Sequence, residues 1–327
     1  MTATIDPKRW LTFLWGEYLD TFIRDGGTSI KFVVPLDETT RPEIENEIAS
    51  RAEGAGYLGA RVSSGDTRVH MIDQLFFRVA DQIPWRQLSK NVLTRFAESA
   101  GYALPPQQEG SGAFAVRLAA ANPNLDPEYL RIQGQPWIQN QVFGQRSLAK
   151  DFRVAVTQLC LAELLGGPDG ETKIEVITDW LTGRNKAVAA VKPYQIFTKV
   201  TRNNARHLLE SLLRWVRFAG YPGLVIMMDI SRVTIPRNPH DELLFYRKPA
   251  MFDSYEVLRQ FIDATDRMKG CLMVVMPALD FLDQEPSGRG MGAYSALNSR
   301  VYDEVRDSQL VNPMAALVRL APGGNVA

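Results

Sequence analysis

The sequence predicts an α/β protein: a parallel sheet between helices, three layers in all, with its two halves separated by a large helical insertion. Three observations carry this. Apolar runs of strand length occur at residues 30–34, 57–62, 224–228 and 272–276, and the first is rich in β-branched residues. A helical pattern lies between the members of each pair, so strand, helix and strand alternate, and such βαβ units pair their strands in parallel. Between the two pairs, the stretch 65–200 reads mainly as helix.

The elements follow in order. Asp6 can cap a first helix and Pro7 suits its first turn, while Trp10, Leu14, Tyr18 and Phe22 recur every four residues until Gly26-Gly27 stops it. The strand 30–34 comes next, then a polar turn of eight residues, a helix over about 42–52 and a strand over 57–62. Helix dominates 69–165, with breaks at 83–84 and 104–112. Residues 166–170 (GGPDG) read as a linker, followed by a short helix ending near Gly183. A long amphipathic helix covers about 202–218, with Leu208, Leu209, Leu212, Leu213 and Val216 as its apolar stripe. The helix between the last two long apolar strands carries Tyr255, Leu258, Phe261 and Ile262, and residues 316–320 supply a final strand. The expected division is 1–64 and 201–327 for the two parts of the α/β core, and 65–200 for the helical insertion.

Composition narrows the function classes. With 327 residues, 45% of them hydrophobic and 23% charged, the chain has the make-up of a folded protein. Lys and Arg (37) balance Asp and Glu (37), which argues against a surface that is wholly a nucleic-acid or membrane footprint. No apolar run approaches the roughly 20 residues of a membrane helix, and the N-terminus has no signal-peptide core, so a cytoplasmic protein without membrane association is expected. Cys160 and Cys271 lie in apolar runs and read as reduced core thiols. His70, His207 and His240 show no metal-ligand spacing and there is no C-x-x-C, so no metal site is expected. Ser111 is not in a G-x-S-x-G nucleophile motif.

The turn after the first strand is the most informative segment. A P-loop nucleotide-binding protein carries G-x-x-x-x-G-K-[ST] there, because glycine lets backbone N–H groups wrap phosphate, lysine reaches the β/γ-phosphates and the hydroxyl holds Mg²⁺. The octet here is Pro35-Leu36-Asp37-Glu38-Thr39-Thr40-Arg41-Pro42. Pro35 and Thr40 fill the glycine positions, Arg41 replaces lysine, and Pro42 has no hydroxyl. Asp37 and Glu38 would each face an anionic phosphate; at ~5 Å and an effective dielectric of ~20 one such repulsion is on the order of 3 kcal/mol. Thr39 or Thr40 is the expected cap of the next helix.

Two more strand ends belong to the same reading. Residues 224–229 (LVIMMD) resemble a Walker B strand, whose terminal acid, here Asp229, orients Mg²⁺. A hydrolytic relative would place Glu next to position water, but Ile230 stands there and cannot take a proton. The strand 272–276 ends in Pro277, where a polar sensor residue would contact the γ-phosphate.

Taken together, the helix into G-G-x-x-I-K-F-V-V (26–34), the octet, Y-P-G-L-V-I-M-M-D (221–229), M-V-V-M-P-A-L-D-F-L (273–282) and G-x-x-x-Y-x-x-L-x-x-R (290–300) resemble the P-loop ATP-binding proteins of BREX-type phage-defence systems, AAA/STAND-like proteins. The resemblance implies a P-loop NTPase-like fold. It implies phosphate binding at the octet, a Mg²⁺ role for Asp229, and a nucleotide or neighbour contact for a late arginine such as Arg300. It also implies a multi-protein defence complex with an intact ATPase, helicase, nuclease or DNA-modifying enzyme. Since the octet, Ile230 and Pro277 all depart from the pattern, the expectation is a pseudo-ATPase: a non-catalytic scaffold or regulatory subunit with no cofactor. Two alternatives stand beside it. One is a nucleotide-responsive protein or weak ATPase completed by a partner, with ATP and Mg²⁺ bound.

The other is a DNA-binding subunit of the same complex. Between Arg184 and Arg217 lie eight cations against one acid, Glu210. Arg184, Lys186, Lys192, Lys199, Arg202 and Arg206 are the candidate contacts to a partner or to DNA phosphates. Glycines at 288, 290 and 292 read as a mobile loop, and Trp85, Trp137, Trp180, Phe245 and Tyr246 fall near element ends.

Overall fold

A computed structural model describes residues 4–105, 112–302 and 312–321; Ser111 lies outside the described residues. In chain order the elements are α1 (Pro7–Phe13), β1 (Thr28–Pro35), α2 (Arg41–Gly54), β2 (Leu58–Ser63), α3 (Ile72–Ala80), α4 (Trp85–Ser99), α5 (Phe114–Ala121), α6 (Pro127–Ile138), α7 (Lys150–Leu165) and α8 (Gly167–Thr182). After these come α9 (Val188–Val191), α10 (Ala205–Phe218), β3 (Leu224–Asp229), α11 (Lys248–Asp263), β4 (Cys271–Met276), α12 (Ser295–Val301) and β5 (Leu317–Leu320).

The five strands form one sheet in the order β2-β3-β4-β1-β5, and every pairing is parallel. This is the α/β, P-loop NTPase-like arrangement. All-apolar strands such as β4 suit it, because a parallel sheet is buried on both faces. On one face, Val33, Val225, Met227, Val274, Met276 and Val318 meet Trp10, Leu14 and Leu19 from the N-terminal helix and Ile44 and Ile48 from α2. On the other, Phe32 stacks on Phe281 with ring centroids 5.7 Å apart, and Phe281 meets the edge of Tyr255 in α11.

The first helix differs from its expected form. Asp6 caps it as expected, accepting from Arg9 N at 2.9 Å, but after Phe13 the chain continues as a π-helix over Leu14–Phe22. Its wider turn, with Ile23 N donating to Tyr18 O at 2.8 Å, moves the buried stripe on by one residue. Ile23 is therefore fully buried and Phe22 is exposed.

The chain divides into two compact units: Met1–Gln82 with Tyr221–Ala327, and Ile83–Gly220. The junctions thus fall at 82/83 and 220/221, where 64/65 and 200/201 were expected. Side-chain bonds explain the shift. Gln82 brackets β2, accepting from Arg61 N at 2.9 Å and donating to Arg61 O at 2.8 Å, so α3 stays with the sheet. At the other end, Ser211 of α10 accepts from Ala149 N at 2.8 Å and Asn91 donates to Ala219 O at 3.2 Å, so α10 belongs to the helical unit.

Inside the helical unit, Glu163 is buried between Arg86 (2.9 Å) and Arg117 (3.1 Å). The GGPDG segment is not a linker. Gly166 and Gly167, at φ 64° and 78°, make the break; α8 starts at Gly167, with Pro168 in its first turn and Asp169 favourable at the helix dipole's positive end. Trp85, Trp180 and Tyr246 are core residues. No helix among the described residues is long and apolar enough to cross a membrane.

Candidate functional site

Parallel pairing brings the ends of β1, β3 and β4 to one edge of the sheet, the edge at which open α/β sheets hold their ligands. Asp229 is in register with Met276 on one side and Ser63 on the other. The octet leaves β1 at that edge. Its sequence-predicted residues therefore do come together with Asp229.

The octet closes on itself. Leu36 N donates to Leu320 O at 3.0 Å, Thr39 N to Asp37 Oδ1 at 2.9 Å and Thr40 N to Asp37 O at 3.1 Å, while Arg41 N bonds to Glu38 O. Pro35 and Pro42 have no N–H at all. Asp37 thus caps a single 3₁₀ turn over Glu38–Thr40, and the Thr39 bonds hold its carboxyl below the usual range. Thr40 holds the N-cap position of α2, one of the two residues expected there, but without a side-chain cap bond: its hydroxyl donates to Asp37 O at 2.7 Å, and Thr39 Oγ1 donates to Asp37 Oδ1 at 2.7 Å. The preceding turn has taken both hydroxyls.

Arg41, at the lysine position, is buried and spans the strand tips. Nη1 donates to Met276 O at 2.8 Å and Nη2 to Pro277 O at 2.7 Å, the last two carbonyls of the β4 tip. Nε and Nη2 grip the Glu38 carboxylate at 2.8 and 3.0 Å. Four of the five guanidinium N–H groups are thereby used, and the remaining side of Nη1 faces Asp229 Oδ1 at 3.7 Å. Glu38 is therefore Arg41's counter-ion and not a bare repelling charge.

Asp229 is committed as well. Its Oδ1 accepts from Ser231 N at 2.9 Å and its Oδ2 from the Ser63 hydroxyl at 3.1 Å. Ile230 is fully buried, its N–H on Met276 O at 3.0 Å. Glu45 of α2 is half-buried nearby; burial, and then the charge of Asp229, push its carboxyl up, against Arg41 and Arg61. Phosphate needs inward-pointing N–H donors and an unspent cation. This donor set is a poor fit to a triphosphate: Pro35 and Pro42 offer no N–H, the N–H groups of Leu36, Thr39, Thr40 and Arg41 are engaged within the protein, and so are four of the five guanidinium N–H groups of the one cation.

A family model described as BREX system ATP-binding protein BrxC/D matches residues 138–323, more than half of the chain. The chain belongs to this family. No curated protein and no solved structure matches it. The BrxC/D match takes in Asp229, Ile230, Pro277, Arg300 and the basic segment, while the octet lies before its first residue.

Several expected BrxC/D site residues lie elsewhere. Arg300 sits on α12 and pairs with Asp263 at 2.6 Å. Asp263 ends α11, close in sequence to the start of β4, so Arg300 is held at the opposite edge of the sheet from the octet. The glycines at 290 and 292 form a packed turn: a Cβ on Gly292 would lie 2.2 Å from Gln284 C. Arg289, directly before them, donates to Val233 O at 3.0 Å and Tyr246 O at 2.6 Å. The candidate cations Arg184, Lys186, Lys192, Lys199, Arg202 and Arg206 all belong to the helical unit. Arg184 pairs with Asp179 at 3.1 Å and Arg206 is half-buried, whereas Lys192, Lys199 and Arg202 are exposed.

Sequence reasoning missed Ser63, Glu45 and the two β4 carbonyls. The carbonyls leave no trace in residue type. Ser63 stood one residue beyond the expected strand, and only the register shows that it faces Asp229.

Proposed function

We propose that this BrxC/D family member is a non-catalytic subunit of a BREX phage-defence complex, in which an ATPase-like fold serves as a scaffold for protein contacts. The observation that carries the reading is the Arg41 guanidinium, spent on Met276 O, Pro277 O and Glu38 at the tips where phosphate would lie. Ile230 and Pro277 support it, since neither side chain can polarise water or donate to a phosphate. In this reading, catalysis in the complex comes from another subunit, such as an intact ATPase, helicase or nuclease. ATP turnover by the assembled complex tests it. Asp229→Ala in this chain is expected to leave turnover unchanged while the complex stays assembled. Loss of turnover in an intact complex contradicts the proposal.

A further inference from the structure

One segment of the helical unit is built unlike its surroundings. Residues 195–200 run without regular secondary structure between α9 and α10, yet they are pinned at several points. Ile196 is fully buried. Trp180 Nε1 donates to Thr198 O at 3.0 Å, the Thr198 hydroxyl donates to Asp151, and Asn204 Nδ2 donates to Lys199 O at 2.8 Å. Gln195, which opens the stretch, has φ 63°, a left-handed conformation that a non-glycine residue keeps only when its neighbours enforce it.

This pinned ribbon sends an aromatic ring outward. Phe197 is 61% exposed, the highest value among the exposed large hydrophobic residues described. Around it in sequence stand Lys192, Lys199 and Arg202, all exposed and without a carboxylate partner among the described residues. The acids of the region are occupied: Asp179 by Arg184, Asp151 by the Thr198 hydroxyl, and Glu210 is buried beside His207. An ordered surface that leaves a ring and three cations without partners has forgone both apolar burial and ion pairing.

We infer that the 192–202 ribbon is a binding surface for single-stranded nucleic acid, with Phe197 stacking on a base and Lys192, Lys199 and Arg202 facing phosphates. Cations alone would suit a duplex backbone equally well. The projecting ring decides for a single strand, because only an unpaired base offers its face to an aromatic side chain. A protein partner would need acidic residues to match the cations and an apolar socket for the ring. The inference concerns the helical unit and holds whatever the strand-tip site binds.

The test is fluorescence anisotropy with the full chain, a labelled oligo-dT about 20 nucleotides long and a duplex of equal length. Oligo-dT is expected to bind at least about fivefold more tightly than the duplex. With three phosphates neutralised, its log-log salt slope is expected to be about −2. Phe197→Ala should weaken oligo-dT binding about fivefold or more with the slope kept, and Phe197→Trp should retain it. Joint reversal of Lys192, Lys199 and Arg202 to Glu should abolish binding and flatten the slope. The inference is overturned by no binding at low salt, by equal affinity for duplex, or by a Phe197→Ala protein that binds as the parent does. It is also overturned if these substitutions release a protein partner while oligo-dT binding is unchanged.

Discussion

Arg41 and the trio Lys192, Lys199 and Arg202 are all cations at positions where a nucleic-acid or nucleotide phosphate is expected, and the structure treats them in opposite ways. Arg41 is buried, with carbonyls of the β4 tip and the Glu38 carboxylate around it. The trio stands in solvent on a ribbon whose backbone is fixed but whose charges are unmatched. The helical unit is not short of means to pair cations, since Glu163 holds both Arg86 and Arg117. The difference teaches that a basic residue at a motif position is a phosphate ligand only if the fold leaves its donors unspent.

Five substitutions sharpen that contrast, in descending order of effect. Glu163→Ala leaves Arg117 and Arg86 without their shared buried partner and is expected to cost about 3 kcal/mol of unfolding free energy in denaturant titration. A cost below about 1 kcal/mol would show that the buried pairing contributes little. Arg41→Ala is expected to cost about 2–3 kcal/mol, less than a fully buried pair because Glu38 is half in solvent. If the variant is as stable as the parent, the guanidinium does not tie the strand tips together.

Lys31 gives a third, pH-dependent case. It is buried in β1 and donates to Tyr18 OH at 2.6 Å, Met314 O at 2.5 Å and Ala315 O at 3.2 Å; burial pulls its ammonium down to about 8 from an ordinary 10.5. Below pH 8 the lysine is charged in both folded and unfolded chains, and the burial penalty is complete. Between about pH 8 and 10.5 the unfolded chain holds more protons, so raising the pH stabilises the fold. Relative to Lys31→Met, the parent should gain roughly 2 kcal/mol between pH 7.5 and 9.5. Parallel pH profiles for the two proteins would refute this. The smallest effect is expected on the ribbon. Lys192→Ala and Lys199→Ala should each change stability by less than about 0.5 kcal/mol, because neither charge has a partner to lose.

Much of the sheet was legible in the sequence. The runs 224–228 and 272–276 became β3 and β4 with a change of one residue each, because all-apolar strands have few other places to go in a fold of this size. The π-helix was not legible. A spacing of four suits an α-helix, and only the burial of Ile23 in place of Phe22 reveals the wider turn. GGPDG misled because glycine and proline signal both loops and helix starts, and Pro168 here serves the latter.

At the strand tips the sequence identified the octet, Ile230 and Pro277 as departures from the ATPase pattern and Asp229 as a match to it, while the physical reason for the departure lay elsewhere. The expected obstacle was repulsion from Asp37 and Glu38. In the structure Asp37 caps a turn and Glu38 neutralises Arg41, so the obstacle we propose is the commitment of Arg41 and of most octet N–H groups to the protein itself. Bonds to the backbone of a strand more than two hundred residues away cannot be seen in a local motif. On the ribbon, the cations were visible but the outward ring was not. Its direction depends on the burial of Ile196 on one side of it and on the bond from Trp180 to the Thr198 carbonyl on the other.

Calorimetric titration of MgATP into the purified full chain, beside Arg41→Ala, tests the account of the strand tips most directly. No heat of binding up to millimolar nucleotide is expected from the parent protein. Saturable binding that Arg41→Ala abolishes would contradict it, because Arg41 would then be holding phosphate and not the ends of the strands.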